Sequence, residues 1–135
     1  MQTFLPDTNF VRSAELLDYK RLGKQRVEAY QILVALRDPW SVQTYVERHG
    51  KEPGTGWQRH PFTLRWKGYE DSLRYYYRCV VQEWIARGYL NTMPVPTQPS
   101  PAPDSPLWLD EAFAREHRQL LYHKNPEFYQ HWRSE

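Results

Sequence analysis

Asp18-Tyr-Lys-Arg-Leu-Gly-Lys-Gln-Arg-Val-Glu-Ala-Tyr-Gln-Ile-Leu33 is the stretch whose reading decides the fold. At about 100° per residue, Leu22, Ala29, Leu33 and Leu36 share one arc, flanked by Ile32 on one side and by Tyr30, Val34 and Val27 on the other. Lys20, Arg21, Lys24, Glu28 and Gln31 gather on the opposite side. Arg26 intrudes on the apolar arc, where a guanidinium needs a partner or a solvated opening. The pattern predicts a long helix from Asp18 to Arg37, ended by Asp38-Pro39. Its polar side admits two readings. One is a solvated face with Lys24 and Glu28 paired at i,i+4. The other is a surface that tracks phosphates beside a lone carboxylate.

Upstream, residues 1–9 are expected to be extended, because Pro6 interrupts any early helix. Asp7, Thr8 or Asn9 can cap a short helix from Phe10 to Leu17 with Val11, Ala14 and Leu17 inward. Downstream, Ser41 is expected to cap a helix from Val42 to His49, closed by Gly50. A loop over 51–56 leads to Trp57-Gln-Arg-His-Pro-Phe-Thr-Leu-Arg-Trp-Lys-Gly68, read as a turn or short helix. A second long helix follows over 69–87, with Leu73, Tyr76, Val80, Trp84 and Arg87 at helical spacing and Gly88 as its stop. Tyr75, Tyr76 and Tyr77 cannot share one face, so one ring is expected at the surface. Residues 94–106 hold six prolines and read as a stiff surface strap. Asp104 or Ser105 is expected to cap a last helix, Leu107 to Tyr122, with Pro106 in its first turn. The tail from Lys124 to Trp132 is an aromatic turn. No strand pattern or repeat emerges. The expectation is an all-α fold and a single domain over 1–135, with two or three long helices plus short ones.

Composition narrows the function classes. A net charge of +2 over 135 residues is only mildly basic, so any nucleic-acid reading must rest on charge placement. Cys79 is the only cysteine, which excludes an intramolecular disulfide and fits a reducing compartment. No run approaches the length of a membrane span. The five histidines, at 49, 60, 117, 123 and 131, lack metal-site spacing, and no phosphate-binding glycine loop occurs. No metal or cofactor is therefore expected. Aromatic and basic residues interleave at 57–67 and 117–132, where cations could hold phosphates and rings could wedge or stack on bases. Glu28 has no second carboxylate on its face, so ordinary paired-carboxylate glycoside hydrolysis is not supported. A single glutamate can still serve N-glycosidic cleavage if the N-terminal α-amine is the nucleophile. That amine has an ordinary pKa of about 7.7–8.0, so a sizeable fraction is neutral near pH 7.

Ala14-Glu-Leu-Leu-Asp-Tyr-Lys-Arg-Leu-Gly-Lys-Gln-Arg-Val-Glu28, His60-Pro61 before Trp66-Lys-Gly-Tyr69, Glu83-Trp-Ile-Ala-Arg-Gly-Tyr89 and Lys124-Asn-Pro-Glu-Phe-Tyr129 occur in one order along the chain. In that order they resemble the pyrimidine-dimer DNA glycosylases, the phage-type UV endonuclease family. Met-Gln-Thr-Phe-Leu-Pro and Arg-Leu-Gly-Lys-Gln-Arg-Val-Glu are more similar to an actinobacterial-type branch than to the phage enzyme.

The resemblance implies an all-α DNA glycosylase with AP-lyase activity on damaged or modified pyrimidines. The N-terminal amine would attack C1′ and form a Schiff base, and a glutamate on the first long helix would assist. Met1, Gln2 and Glu28 are the catalytic candidates. An alignment shifted by one residue instead puts Arg26 on a family arginine and Val27 on the glutamate. Residue 2 is Gln where the phage-type enzyme has Thr, and its size normally blocks removal of the initiator, leaving the amine on Met1. The implied DNA contacts are Arg21, Lys24, Arg26, Gln31, Trp57, Arg59, His60, Arg65, Lys67, His117, Arg118, Lys124 and Tyr129. The partner is duplex DNA, the state a monomer, and the location cytoplasmic and nucleoid-associated, with no membrane. Two alternatives stay open: a non-catalytic DNA-binding module of the same fold, and a protein-interaction domain.

Overall fold

The computed structural model describes residues 2–135, which form six α-helices and no strand. These are α1 (Phe10–Leu16), α2 (Tyr19–Ala35), α3 (Pro39–His49), α4 (Pro61–Arg65), α5 (Glu70–Ala86) and α6 (Glu111–Lys124), with a short 3₁₀ turn at Gln130–Trp132. The all-α expectation is met. The core is the α2–α5 pair with α1 packed against α5. Leu22, Ala29, Ile32 and Leu33 of α2 meet Leu73, Tyr76, Tyr77, Val80 and Val81 of α5, all fully buried. Removing each of these large apolar side chains from water stabilises the fold by roughly 1.5–3 kcal/mol before chain entropy is counted. Gly23 leaves room for the Trp84 ring of α5, because a Cβ there would lie 3.1 Å from it.

Helix ends depart from expectation where a better cap lies nearby. At α1 the expectation holds: Asn9, one of the three cap candidates, accepts from the Arg12 backbone. Ala14 and Leu17 face inward as expected, but Val11 is exposed and Phe10 and Ser13 take the inward places. The α2 helix stops at Ala35, and Arg37 takes a left-handed φ of 61°. Asp38, not Ser41, caps α3. Its carboxylate accepts from the Ser41 backbone and also pairs with Arg74 of α5, so one buried acid fixes a helix start and ties it to the core. Gly50 and Gly88 close α3 and α5 with positive φ, as expected.

Tyr76 and Tyr77 are buried, and Tyr75 is the partly exposed ring. Arg87 donates to the carbonyls of Ala14, Glu15 and Leu17, placing a cation at the carboxyl end of α1. The proline strap lies along α5, where Ser72, Tyr77 and Arg78 donate to the carbonyls of Asp104, Pro94 and Pro96. The last helix starts later than expected. Pro106 to Leu109 form turns that leave Leu107 exposed, and Asp110 rather than Asp104 or Ser105 caps the helix by accepting from the Phe113 backbone. Among the described residues, no helix is long and apolar enough to cross a membrane.

Candidate active site

The segment from Gln2 to Pro6 is extended and lies in the interior without a partner strand. Side chains from distant elements satisfy its backbone. Gln25 is the main clamp: its Oε1 accepts from the Phe4 N–H at 2.9 Å, and its Nε2 donates to the Gln2 carbonyl at 2.6 Å. Tyr76 donates to the Phe4 carbonyl, His117 Nδ1 accepts from the Leu5 N–H at 3.0 Å, and Arg118 donates to the Pro6 carbonyl. The Trp66 indole donates to Thr3 Oγ1. An extended strand buried without such partners would carry a desolvation cost at each orphaned amide.

The clamp brings the start of the chain to Glu28. The Gln2 N–H donates to Glu28 Oε2 at 3.0 Å, and Gln25 Nε2 approaches the same oxygen at 3.3 Å. Among the described residues only Oε2 is engaged. Met1, the other half of the expected catalytic pair, lies outside the described residues. Glu28 opens onto a cleft of about 450 Å³ whose lining includes Tyr19, Lys20, Gly23, Lys24 and Trp84. Lys20 and Lys24 are exposed. Tyr19 stacks on Trp84 with centroids 5.5 Å apart and planes within 20°, and Tyr89 packs against both rings. A half-buried carboxylate thus faces a cleft with two cations on one side and an aromatic wall on the other. Such a site can stabilise a developing cation at the carboxylate, hold an anionic backbone and offer a stacking face.

The other expected contacts divide into three groups. Lys24, Gln31, Arg59, Lys67 and Lys124 are exposed. Trp57 is half exposed, and His60 caps α4 by accepting from the Phe62 backbone. Arg21, Arg26, Arg65 and Arg118 are engaged within the fold. Arg21 lies 3.5 Å from Asp18. Arg26 finds the partner its position demands: its guanidinium stacks 4.2 Å from the Trp84 ring centre and donates to Asn91, and burial lowers its pKa. Arg65 is set among the rings of Phe62, Trp108 and Phe113. Arg118 bridges Glu111 and Glu135.

His117 and Tyr129 lie inside the fold rather than on the expected surface. Both are buried, at 2% and 0% exposure, and line no surface. His117 holds the Leu5 amide, and Tyr129 bonds the Asp18 carboxylate and backbone.

Gln25 and the Tyr19–Trp84–Tyr89 wall are the residues of the candidate site that the sequence reading missed. Gln25 left a signal, since it falls between Ile32 and Ala29 on the helical wheel, a polar residue inside the apolar arc. The wall had no such mark, because aromatic residues at helical spacing read equally well as core.

No curated protein and no solved structure matches the chain. The model of the pyrimidine dimer DNA glycosylases matches residues 1–97, a span that takes in the clamped segment, Gln25, Glu28 and the aromatic wall and stops before α6. The chain belongs to the pyrimidine dimer DNA glycosylase family.

Proposed function

We propose that this protein is a DNA base-excision enzyme, an N-glycosylase with AP-lyase activity on damaged or modified pyrimidines in duplex DNA. It acts as a monomer through an N-terminal-amine Schiff base. The observation that carries the reading is the 3.0 Å bond from the Gln2 N–H to Glu28 Oε2. In any chain, consecutive backbone nitrogens are no more than about 4 Å apart. The reading requires a free α-amine on the residue before Gln2, whose own N–H is the one bonded to Glu28.

In the proposed reaction the neutral amine attacks C1′, and the bond from C1′ to the base nitrogen breaks. The base leaves with the bonding pair and takes up a proton. The resulting glycosylamine then opens: the C1′–O4′ bond breaks, O4′ takes up the proton lost from the amine nitrogen, and the imine forms. Glu28 stabilises positive charge at C1′ and the ring oxygen, then takes the C2′ proton. The C3′–O3′ bond breaks and the 3′ phosphate departs. Water finally hydrolyses the imine and frees the amine. Exposed Lys20, Lys24, Arg59, Lys67 and Lys124 supply phosphate contacts.

The test is borohydride reduction with a duplex carrying one thymine dimer and with a matching duplex carrying an abasic site. A covalent adduct that disappears when the N-terminal amine is acetylated is the expected result. No adduct on either duplex, with acetylation changing nothing, removes the Schiff-base chemistry. Salt-dependent duplex retention without an adduct would instead support the non-catalytic binding module.

A further inference from the structure

The contact between Gln2 and Glu28 has two members, the extended segment and α2. Residues beyond the family-matched span hold both. From α6, His117 Nδ1 accepts from the Leu5 N–H at 3.0 Å, and Arg118 donates to the Pro6 carbonyl at 3.0 Å. The His117 ring also meets the Phe4 ring edge-on, with centroids 5.9 Å apart. From the tail, the Tyr129 hydroxyl accepts from the Asp18 N–H at 2.7 Å and donates to the Asp18 carboxylate at 2.5 Å.

Asp18 stands at the start of α2, where an aspartate ordinarily turns its carboxylate onto an N–H of its own first turn. No such bond forms. The buried carboxylate goes to Tyr129 and Arg21 instead, so the helix start is tied to the tail. The tail is itself fixed to α6. Gln119 donates to the Trp132 carbonyl, and Tyr129 stacks on Trp132 with ring centres 4.9 Å apart and planes at 4°. One C-terminal body therefore carries both grips, one on the segment and one on the helix.

We infer that His117 and Tyr129 are positioning residues, which through this one body set where the Gln2 end of the segment lies against Glu28. The inference rests on the glycosylase reading and gives the residues after 97 a part in it. Both side chains are buried and neither lines the Glu28 cleft, so neither meets substrate. Leu5 is about 10 Å of extended chain from Gln2, and Asp18 is about 15 Å along the helix axis from Glu28. Each grip is joined to the contact by continuous backbone. A shift of about 1 Å at a reacting group can cost about 100-fold in rate, so the grips matter more to chemistry than to duplex binding.

The test compares full-length Tyr129→Phe, His117→Leu and His117→Gln with the wild type. Tyr129→Phe removes a single oxygen, and His117→Gln keeps an acceptor for the Leu5 N–H that His117→Leu lacks. Amide hydrogen exchange is followed at Gln2 and Phe4, with Val80 of α5 as the reference. Single-turnover borohydride trapping on an abasic duplex is measured at saturating protein, beside the affinity for that duplex. Y129F and H117L should speed exchange at Gln2 and Phe4 about tenfold beyond any change at Val80. They should cut trapping about tenfold and leave affinity within about twofold, and H117Q should restore both readouts. Exchange that rises equally at all three amides, trapping that tracks only the folded fraction, or H117Q behaving as H117L overturns the inference. Exchange responding as expected, with no trapping even by the wild type, supports the grip on Gln2 and overturns the glycosylase reading alone.

Discussion

The hydroxyl of Tyr76 donates to Gln25 Oε1 across 2.7 Å in the fully buried interior, joining α5 to α2 at the point where Gln25 grips the start of the chain. The same hydroxyl is shared with the Phe4 carbonyl, and Gln25 Oε1 also accepts from the Phe4 N–H. Burial without an ionic partner raises the Tyr76 pKa well above 10, so the hydroxyl stays a donor throughout the physiological range. The clamp is therefore an amide and a phenol, both neutral, and it holds the segment next to Glu28 without placing a second charge beside the carboxylate.

Gln25→Leu keeps the volume and removes the clamp. The Phe4 N–H and the Gln2 carbonyl lose their partner, at roughly 1–3 kcal/mol for each buried group left unsatisfied. Urea unfolding should show a loss of about 3 kcal/mol. Borohydride trapping should fall further than the unfolded fraction explains, because the amine is no longer held at Glu28. Trapping that merely tracks the folded fraction would mean that the clamp does not position the amine.

Glu28→Gln separates fold from chemistry. The amide oxygen can still accept from the Gln2 N–H and from Gln25, so stability should change by no more than about 1 kcal/mol. The carboxylate charge and its proton-accepting capacity are lost. The single-turnover excision rate should drop by about 100-fold or more, the usual scale for a general acid–base group. Duplex retention should persist or tighten. An unchanged rate would remove Glu28 from the reaction.

The two ends of the expected DNA surface should respond differently to alanine. Lys24 is exposed in the cleft, so Lys24→Ala should reduce the slope of log affinity against log salt by about one. Arg118 is occupied by Glu111, Glu135 and the Pro6 carbonyl. Arg118→Ala should leave that slope unaltered and lower stability by about 1 kcal/mol, on the scale of a partly buried charged hydrogen bond. Equal slopes for wild type and Lys24→Ala would take Lys24 out of the interface.

Local pattern was enough for α2 and α5 and for the glycine stops of α3 and α5, because periodicity and left-handed caps act within a few residues. It was also enough for Glu28, which keeps the polar face assigned to it. It failed where a polar residue is recruited by a distant partner. His117 and Leu5 meet across 112 residues, and Tyr129 and Asp18 across 111. Nothing near His117 says that its ring is an interior acceptor for a backbone amide rather than a surface contact. The start of α6 shows a different failure. Pro106 satisfies the rule for a first helical turn, but Asp110 reaches the Phe113 amide, and the residues between form turns instead.

Trp57→Gly tests the left-handed strain of a residue that burial does not hold in place. Glycine adopts φ 70° freely, so relief of about 1–3 kcal/mol of backbone strain competes with about 0.5–1 kcal/mol of added unfolded-chain entropy and with the loss of a half-exposed ring. The melting temperature should be unchanged or raised. A melting temperature lowered by several degrees would mean that the indole supports the fold and that its exposure understates its packing.

His117 gives the fold a defined acid limb. Burial, with the nearby Arg65 charge, pushes its pKa down to about 4 from the ordinary 6.5, and its Nδ1 accepts from the Leu5 N–H, which requires that nitrogen to be unprotonated. Above pH 6.5 the imidazole is neutral in both folded and unfolded chains and adds no pH dependence. Between pH 6.5 and 4 the unfolded chain binds a proton that the folded chain refuses, so stability falls as pH drops, by up to about 1.4 kcal/mol per unit and about 3 kcal/mol across the window. Below pH 4 both states are protonated and this contribution levels off. His117→Gln can still accept from Leu5 through its amide oxygen but cannot titrate. Its urea-unfolding free energy should therefore be flatter than wild type between pH 6.5 and 4, with carboxylates contributing equally to both. Parallel curves for the two proteins would show that His117 is not held neutral in the fold.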